Sequence, residues 1–513
     1  MKNFKRIICM LSSLIMTVGC FAFIGCGPDQ PKGIDFATYK ESQKAPTIEN
    51  DDLEYIPTFN PAEVIGSFIC DNDKAGNDTL KRFFVGGTDL GLSINVKSQG
   101  DPYTLLLFGD TFPAQNCRGE WRCGVVAKSQ DYNLENNIIL NSFWTKDGFK
   151  TETNREEGEM ADAIIFSLGD TENQGETTKI YTGGCEVNGV IYAFYVSRHE
   201  QTEKPSRPNY NNYGGCIKSL DGGTTWERVW DLTWANHGLS PAHYEWLNSD
   251  PTTRDPGFLS TPEGDLAWNA GYFHPEFGYD DRNTNATNPK WSGTHAVYIQ
   301  ELVNQEIIGF SAGYNVADEN NMVNGVDMDI NKRVGFHFTQ IYPLVAGDGY
   351  VYMFGRGGYR SSGVALARVK EENIEVFAEY EYLTSKENGG VWEKGIEHAD
   401  DVVMVEERNL SNMSVVYNDY INKWVMSYLD CSEGSGAPLV IAYSDDLLNW
   451  SEPVTLLTNS GETKNLYGGY LNDMWVENFG QTYYFVYSRW DKNQPVYRSY
   501  IAKATVDRTL VQE

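Results

Sequence analysis

Val190-Ile-Tyr-Ala-Phe-Tyr-Val-Ser-Arg198 is an apolar, aromatic run that closes on polar residues, and the chain contains close counterparts of it. Tyr103-Thr-Leu-Leu-Leu-Phe-Gly-Asp110, Asp265-Leu-Ala-Trp-Asn-Ala-Gly-Tyr-Phe-His274, Tyr350-Val-Tyr-Met-Phe-Gly-Arg356, Lys423-Trp-Val-Met-Ser-Tyr-Leu-Asp430 and Thr482-Tyr-Tyr-Phe-Val-Tyr-Ser-Arg489 share its form. A second apolar run follows most of them after a variable loop, as in Gly124–Ser129, Gly215–Ser219, Val364–Arg368, Leu439–Ser444 and Tyr500–Ala504. Short runs rich in aromatic and β-branched residues and broken by Gly, Asn and Asp are strand signals. The 49 Gly, 31 Tyr, 24 Phe and 13 Trp of the 513-residue chain carry the same message. Six such units, about 60 to 85 residues apart, predict an all-β chain folded as a β-propeller of five or six blades. Compact propeller repeats take roughly 40 to 50 residues, so the extra length belongs to loops. A terminal unit that is an incomplete blade would be completed by the other end of the chain.

One motif supports this reading independently. Ser219-Leu-Asp221-Gly-Gly223-Thr-Thr225-Trp226 fits the Asp-box pattern S-x-D-x-G-x-T-W, and Ser444-Asp-Asp446-Leu-Leu-Asn-Trp450 is a degenerate relative. The Asp carboxylate and Ser hydroxyl satisfy backbone amides of a tight turn while the Trp packs between sheets, so the motif is read as a turn device without catalytic role.

Outside the repeats, Met1–Arg6 carries Lys2, Lys5 and Arg6 and runs into an apolar stretch from Ile7 to Phe23, the layout of a secretory signal over residues 1–25. Of the two Gly-Cys pairs ending that stretch, Cys26 is the one followed by a polar segment, so Cys26 is the expected lipidation site. Residues 26–60 are rich in Pro, Asp, Glu, Lys and Gln and are expected to form a tether, with a single folded domain over 61–513. The expected location is therefore the cell envelope, exported and held to the membrane by the lipid anchor alone.

The formal charge is −30, and it becomes about −33 once Lys2, Lys5 and Arg6 leave with the signal. So acidic a chain is not expected to bind nucleic acid or anionic lipid. Cys70, Cys117, Cys123, Cys185, Cys216 and Cys431 match no zinc spacing. Cys117 and Cys123 are near enough in sequence for a disulfide, although two buried thiols fit as well. Asp71–Asp78 has a calcium-loop flavour, but Arg82 stands where the closing Glu belongs. Neither metal nor cofactor is expected, and the chain is expected to act as a monomer.

In a propeller the innermost strand of a blade leaves the funnel face and the second strand returns to it, so strand ends collect on one rim. A hairpin folded about Gly100 places Asp89 of Gly87-Thr-Asp89-Leu-Gly91 opposite Asp110. Directly opposed Cβ atoms lie about 5 Å apart and diagonal ones about 7 Å. Paired carboxylates at such separations are what glycosidic hydrolysis uses, one protonated and one ionised. The bland alternative is that both merely cap turns beside glycine. The equivalent positions of the other units add Arg198 with His199, His274, Arg356, Asp430 and Arg489 as a ring of candidate substrate contacts. Arg254, Asp255 and Asp473 are further rim candidates, and Trp121, Trp246, Trp392 and Trp475 are candidate stacking faces for a sugar, the expected partner being a polysaccharide.

Gly87-Thr-Asp89-Leu-Gly91, Leu107-Phe-Gly-Asp110-Thr-Phe112 and Ala127-Lys-Ser129 resemble the opening of proteins catalogued as domain of unknown function 4185, now glycoside hydrolase family 183. The resemblance covers roughly residues 80 to 135. It implies a propeller endo-D-arabinanase acting on mycobacterial arabinogalactan and lipoarabinomannan, with Asp89 and Asp110 as the catalytic pair. Two alternatives stay open. One is a sialidase-like enzyme in which Arg198, Arg356 and Arg489 bind a carboxylate, and the other is a non-catalytic glycan-binding lipoprotein.

Overall fold

A computed structural model describes residues 55–510 except 72, 166–177, 200–209, 236–321, 324–325, 328–335, 358–359, 361, 406–407, 433–435 and 492–495. The signal, Cys26, the tether as far as residue 54, and the unit ending at His274 lie outside the described residues. The structure shows a five-bladed β-propeller, each blade an antiparallel sheet. Blade 1 consists of Gly87–Val96, Tyr103–Phe112, Val126–Ser129, Ser142–Thr145 and Gly148–Lys150, with Arg122–Cys123 added beside the second strand. Blade 2 runs Thr178–Val187, Val190–His199, Tyr210–Ser219 and Glu227–Ala235. Blade 3 runs Gln340–Val345, Tyr350–Arg356, Val364–Lys370, Glu381–Ser385 and Val391–Lys394. Blade 4 runs Leu410–Asn418, Lys423–Asp430, Leu439–Ser444 and Val454–Leu457.

Blade 5 takes Leu466–Glu477, Thr482–Asp491 and Val496–Leu510 from the end of the chain and Tyr55–Phe59 from its start. Tyr55 pairs with Leu510 and Phe59 with Val506, and Glu63–Ser67 pairs with an earlier part of the same strand. The ring therefore closes by a shared blade, and Tyr55–Phe59, upstream of the boundary expected at residue 61, is part of it. The first strand of each blade is its innermost, and these inner strands touch in sequence around a central channel, the last touching the first.

The second strands explain the repeat. Tyr103–Phe108 is buried at every position, as are Val351 and Met353–Arg356. Neighbouring blades cover both faces of such a strand, so its sequence is an unbroken apolar run instead of an alternating one. Their side chains join a core that spans the blades, with Phe108, Phe194, Phe354 and Tyr428 all buried in it.

Both Asp boxes are turns that fasten one blade to the preceding one. Asp221 Oδ1 accepts from the Thr225 amide at 2.8 Å, Ser219 Oγ accepts from the Gly223 amide at 2.8 Å, and Trp226 Nε1 donates to the Gly223 carbonyl at 2.7 Å. Carbonyls of this turn receive hydrogen bonds from blade 1, Gly222 from the Tyr103 hydroxyl at 2.8 Å and Thr224 from Trp144 Nε1 at 2.7 Å. In blade 4, Asp446 Oδ1 accepts from the Asn449 amide at 2.8 Å, and Trp450 meets Phe354 of blade 3 edge-on at 6.2 Å.

Candidate active site

The hairpin Gly87–Phe112 keeps one register from its turn outward, with Val96 facing Tyr103 and Leu92 facing Leu107. Two irregularities then occur close together. Gly91 is an extra residue on the inner strand, and Asp89 faces the extra length at Gly109 and Asp110, because Leu90 pairs with Phe108 and Thr88 with Thr111. The bulge puts Leu90 at φ 60° and Gly91 at φ 106°, a conformation a branched side chain adopts only when its surroundings enforce it. Blade 5 enforces it here. Ser488 Oγ accepts from the Leu90 amide at 3.2 Å, and Ser499 Oγ donates to the Leu90 carbonyl at 3.0 Å. The two bulges cancel in count, so Asp89 and Asp110 end side by side at the same rim.

Their surroundings differ. Asp89 is 5% exposed, and its Oδ1 is buried with no hydrogen-bond partner among the described residues. Burial pushes its carboxyl well above the ordinary carboxylate range and the charge of Asp110 pushes it further, while a hydrogen bond from the Tyr497 hydroxyl and the Arg360 guanidinium act the other way. Asp110 is half-buried, and its Oδ1 accepts from Trp121 Nε1 and from Thr178 Oγ1, both at 2.9 Å. Burial and the neighbouring charge thus favour the protonated form of one carboxyl, beside a second that is held as an acceptor. The Cys117 thiol stands near both, pushed up to about 11 by burial and then by the charges of Asp89 and Asp110.

Five further residues share this end of the channel. Tyr497, 6% exposed, comes from blade 5, and its hydroxyl is pushed well above its usual range by burial and by Asp89 and Asp110. Arg360 lies 4.5 Å over the Tyr467 ring, and Tyr470, within electrostatic reach of Asp89, Arg356 and Arg360, receives a 2.8 Å hydrogen bond from Asn412. None of Tyr497, Arg360, Tyr467 or Asn412 was singled out in the sequence, where nothing but the ring closure relates them to Asp89. Trp121, a candidate stacking residue, serves as a donor to Asp110.

The expected ring divides. Arg198, 1% exposed, pairs across its strands with Thr178, the Asp110 donor, and so sits at the Asp rim. Arg356 is 2% exposed and is spent between blades, donating to the Leu410 carbonyl and Gln340 Oε1 at 3.0 Å and to Asn412 Oδ1 at 3.3 Å. Asp430 forms an ion pair with Arg408 at 2.7 Å, which makes it a fastening of blade 4. Arg489 turns outward, donating to the Lys464 carbonyl at 2.9 Å and lying 5.7 Å from the Tyr500 ring. Strand alternation gives the site side of that blade to Tyr497 instead. Asp473 is at the opposite mouth of the channel, paired with Lys97 at 2.9 Å. Arg254, Asp255, His274 and Trp246 lie outside the described residues, as does the side chain of His199, whose backbone ends the second strand of blade 2.

Of the three arginines of the expected carboxylate-binding cluster, Arg356 is therefore engaged between blades and Arg489 with the Lys464 carbonyl. Trp475 is fully buried, and Trp392 packs on an outer strand 4.4 Å from Arg368. Cys117 and Cys123 are not bridged, and the Cys123 thiol is directed to the Ile165 carbonyl at 3.1 Å. The Asp73 carboxylate of the calcium-like loop is taken up by the Ala75 and Asp78 amides at 3.0 and 3.2 Å. Among the described residues no group of three or more His, Cys, Asp or Glu is arranged to hold a metal ion.

A family model described as "Domain of unknown function (DUF4185)" matches residues 74–258 and 313–503. A comparison with curated proteins gives no match. Among solved structures, a Bacteroides ovatus protein described as a hydrolase aligns at 13% identity and TM-score 0.44 over 90% of this chain and 96% of its own. A family 43 β-1,3-galactosidase with galactodeoxynojirimycin aligns at 11% and 0.37 over 85% and 94%. A family 117 glycoside hydrolase of the marine bacterium Zobellia galactanivorans aligns at 9% and 0.35 over 89% and 92%. At such identities and scores the likeness says nothing of activity.

Proposed function

Since this chain belongs to the DUF4185 family, and since two carboxyl groups of unlike environment meet at one mouth of its channel, we propose that it is a glycoside hydrolase. The observation that carries this reading is Asp89, a buried carboxyl next to Asp110 whose Oδ1 has no hydrogen-bond partner among the described residues and whose protonated form is favoured by burial and by the Asp110 charge. Such an acid gives its proton to the departing glycosidic oxygen. Asp110, positioned by Trp121 and Thr178, acts on the anomeric carbon directly or by drawing a proton from water. Tyr497 fixes the Asp89 carboxyl, and Arg360 with Tyr467 supplies donor and ring surface for sugar hydroxyls and faces.

The proposed substrate is a D-arabinofuranose polymer cut internally, on the strength of the resemblance around Asp89 and Asp110. The proposed setting is the cell envelope, with export through residues 1–25 and a lipid on Cys26. The test is incubation of the chain with mycobacterial arabinogalactan beside Asp89→Asn and Asp110→Asn. Shortening of the polymer by wild type and a loss of at least 1000-fold in either variant are expected, in line with the removal of an acid or a nucleophile. Intact polymer, or undiminished cleavage by both variants, overturns the proposal.

A further inference from the structure

The opposite mouth of the channel is also built. Asn95 lies six residues beyond Asp89 on the same inner strand, roughly 20 Å away at the rise of an extended chain. There a cavity of about 600 Å³ is lined by residues from all five blades, a size that suits a small ligand. Its polar wall is pre-arranged. Asn95 and Asn472 exchange amide hydrogen bonds at 2.8 and 3.0 Å, and Asp473 accepts from Lys97 Nζ at 2.9 Å and from Asn95. Glu186 accepts from the Lys97 amide at 2.7 Å, from the Ser98 amide at 3.3 Å and from the Ser98 hydroxyl. Asp419 lines the same cavity with no hydrogen bond or ion pair among the described residues. Beside it Tyr417 is 40% exposed, its ring braced edge-on by Trp424 at 4.9 Å.

We infer that this mouth is a second binding site, for a neutral saccharide, with Tyr417 as the stacking face and Asp419 as the acceptor for ring hydroxyls. Three carboxylates against one ammonium exclude an anionic sugar. A metal ion finds a single unengaged carboxylate, and an organic cation meets Lys97 and one ring face instead of an aromatic cage. A hydroxyl needs both donors and acceptors close together, and Lys97, Asp419 and Asp473 provide them. A site on the far mouth would hold a polymer while its other stretch occupies the Asp89 rim. The inference leans on the proposed hydrolase only for the choice of probe.

Affinity electrophoresis of the full chain carrying Asp110→Asn, in gels containing neutral arabinogalactan, reads the site without turnover. Retardation is expected, and adding Tyr417→Ala is expected to weaken it about 3- to 10-fold, the worth of one aromatic face. Asp419→Asn is expected to weaken it by a similar factor, while polygalacturonate retards none of these chains and spermidine does not compete. Equal retardation with and without Tyr417→Ala and Asp419→Asn overturns the inference. So does equal retardation by polygalacturonate or effective competition by spermidine. Retardation of the Asp110→Asn chain together with no cleavage of a short arabino-oligosaccharide by the wild type refutes the hydrolase reading and spares this one.

Discussion

Gly109 makes room for the Asp89 carboxyl, and filling that room is the sharpest test of the paired-carboxyl site. A Cβ at position 109 would stand 2.2 Å from Asp89 Oδ1, with Leu90 side-chain atoms next at 3.1 and 3.2 Å. Carbon and oxygen settle at about 3.3 Å, so Gly109→Ala drives the carboxyl off its position by about 1 Å. The backbone at Gly109 is not in the left-handed region, so the substitution brings no left-handed strain and acts through its contacts with Asp89 first and Leu90 second. A misplacement of this size costs about 100-fold in rate, and the overpacking costs about 1–3 kcal/mol of stability. The assay is kcat/KM on soluble arabinan for Gly109→Ala, Asp89→Asn and the double variant, with circular dichroism and thermal melts to establish folding. Because both changes act through one carboxyl, the double variant should be little worse than Asp89→Asn. A folded Gly109→Ala chain within about 3-fold of wild type would refute the reasoning.

Asp89 also links stability to pH. Its carboxyl titrates higher in the folded chain than the ordinary value of about 3.9, so the folded state holds the proton longer. The associated stability is complete below the unfolded value and is lost as pH rises through the folded one. Asp89→Asn should therefore gain stability on wild type as pH climbs, and parallel urea-unfolding curves from pH 4 to 8 would contradict this. Tyr497→Phe removes a donor that favours the ionised form of Asp89. The alkaline limb of kcat/KM should move to higher pH and kcat should fall about 5-fold, the worth of a hydrogen bond near 1 kcal/mol, whereas an unmoved limb counts against the contact. Asp221→Ala should cost about 1–2 kcal/mol in chemical denaturation by uncapping a turn and leave kcat/KM intact, and a matching loss of activity would show the box doing more than fastening blades 1 and 2.

The Asp89 and Asp110 pairing could be read in the sequence because a hairpin is local and its two bulges offset one another, leaving the residues symmetric about the turn. Tyr497 and Arg360 could not, since they reach Asp89 only when the ring closes over some four hundred and some three hundred residues of chain. Arg489 and Asp430 were read as rim residues from their place at strand ends. Which partner a terminal side chain finds depends on the last pair of the ladder, and Arg489 goes to the Lys464 carbonyl while Asp430 is taken up by Arg408. Asp473 was misplaced because its strand, twelve residues long with two register shifts, crosses from one mouth to the other. The repeats themselves were plain, since burial on both faces strips polar residues from the second strands. The count was less so, because blade 5 draws strands from both ends of the chain.

That shared blade sets how the molecule is to be handled. Trimming the chain to residue 61 would uncover the outer part of a fifteen-residue strand, Val496–Leu510, leaving backbone amides and carbonyls along a long exposed margin. Such margins recruit other chains. A truncated preparation would be drawn toward edge-to-edge association, and one that keeps Tyr55–Phe59 would stay dispersed, because that short strand is the latch of the ring.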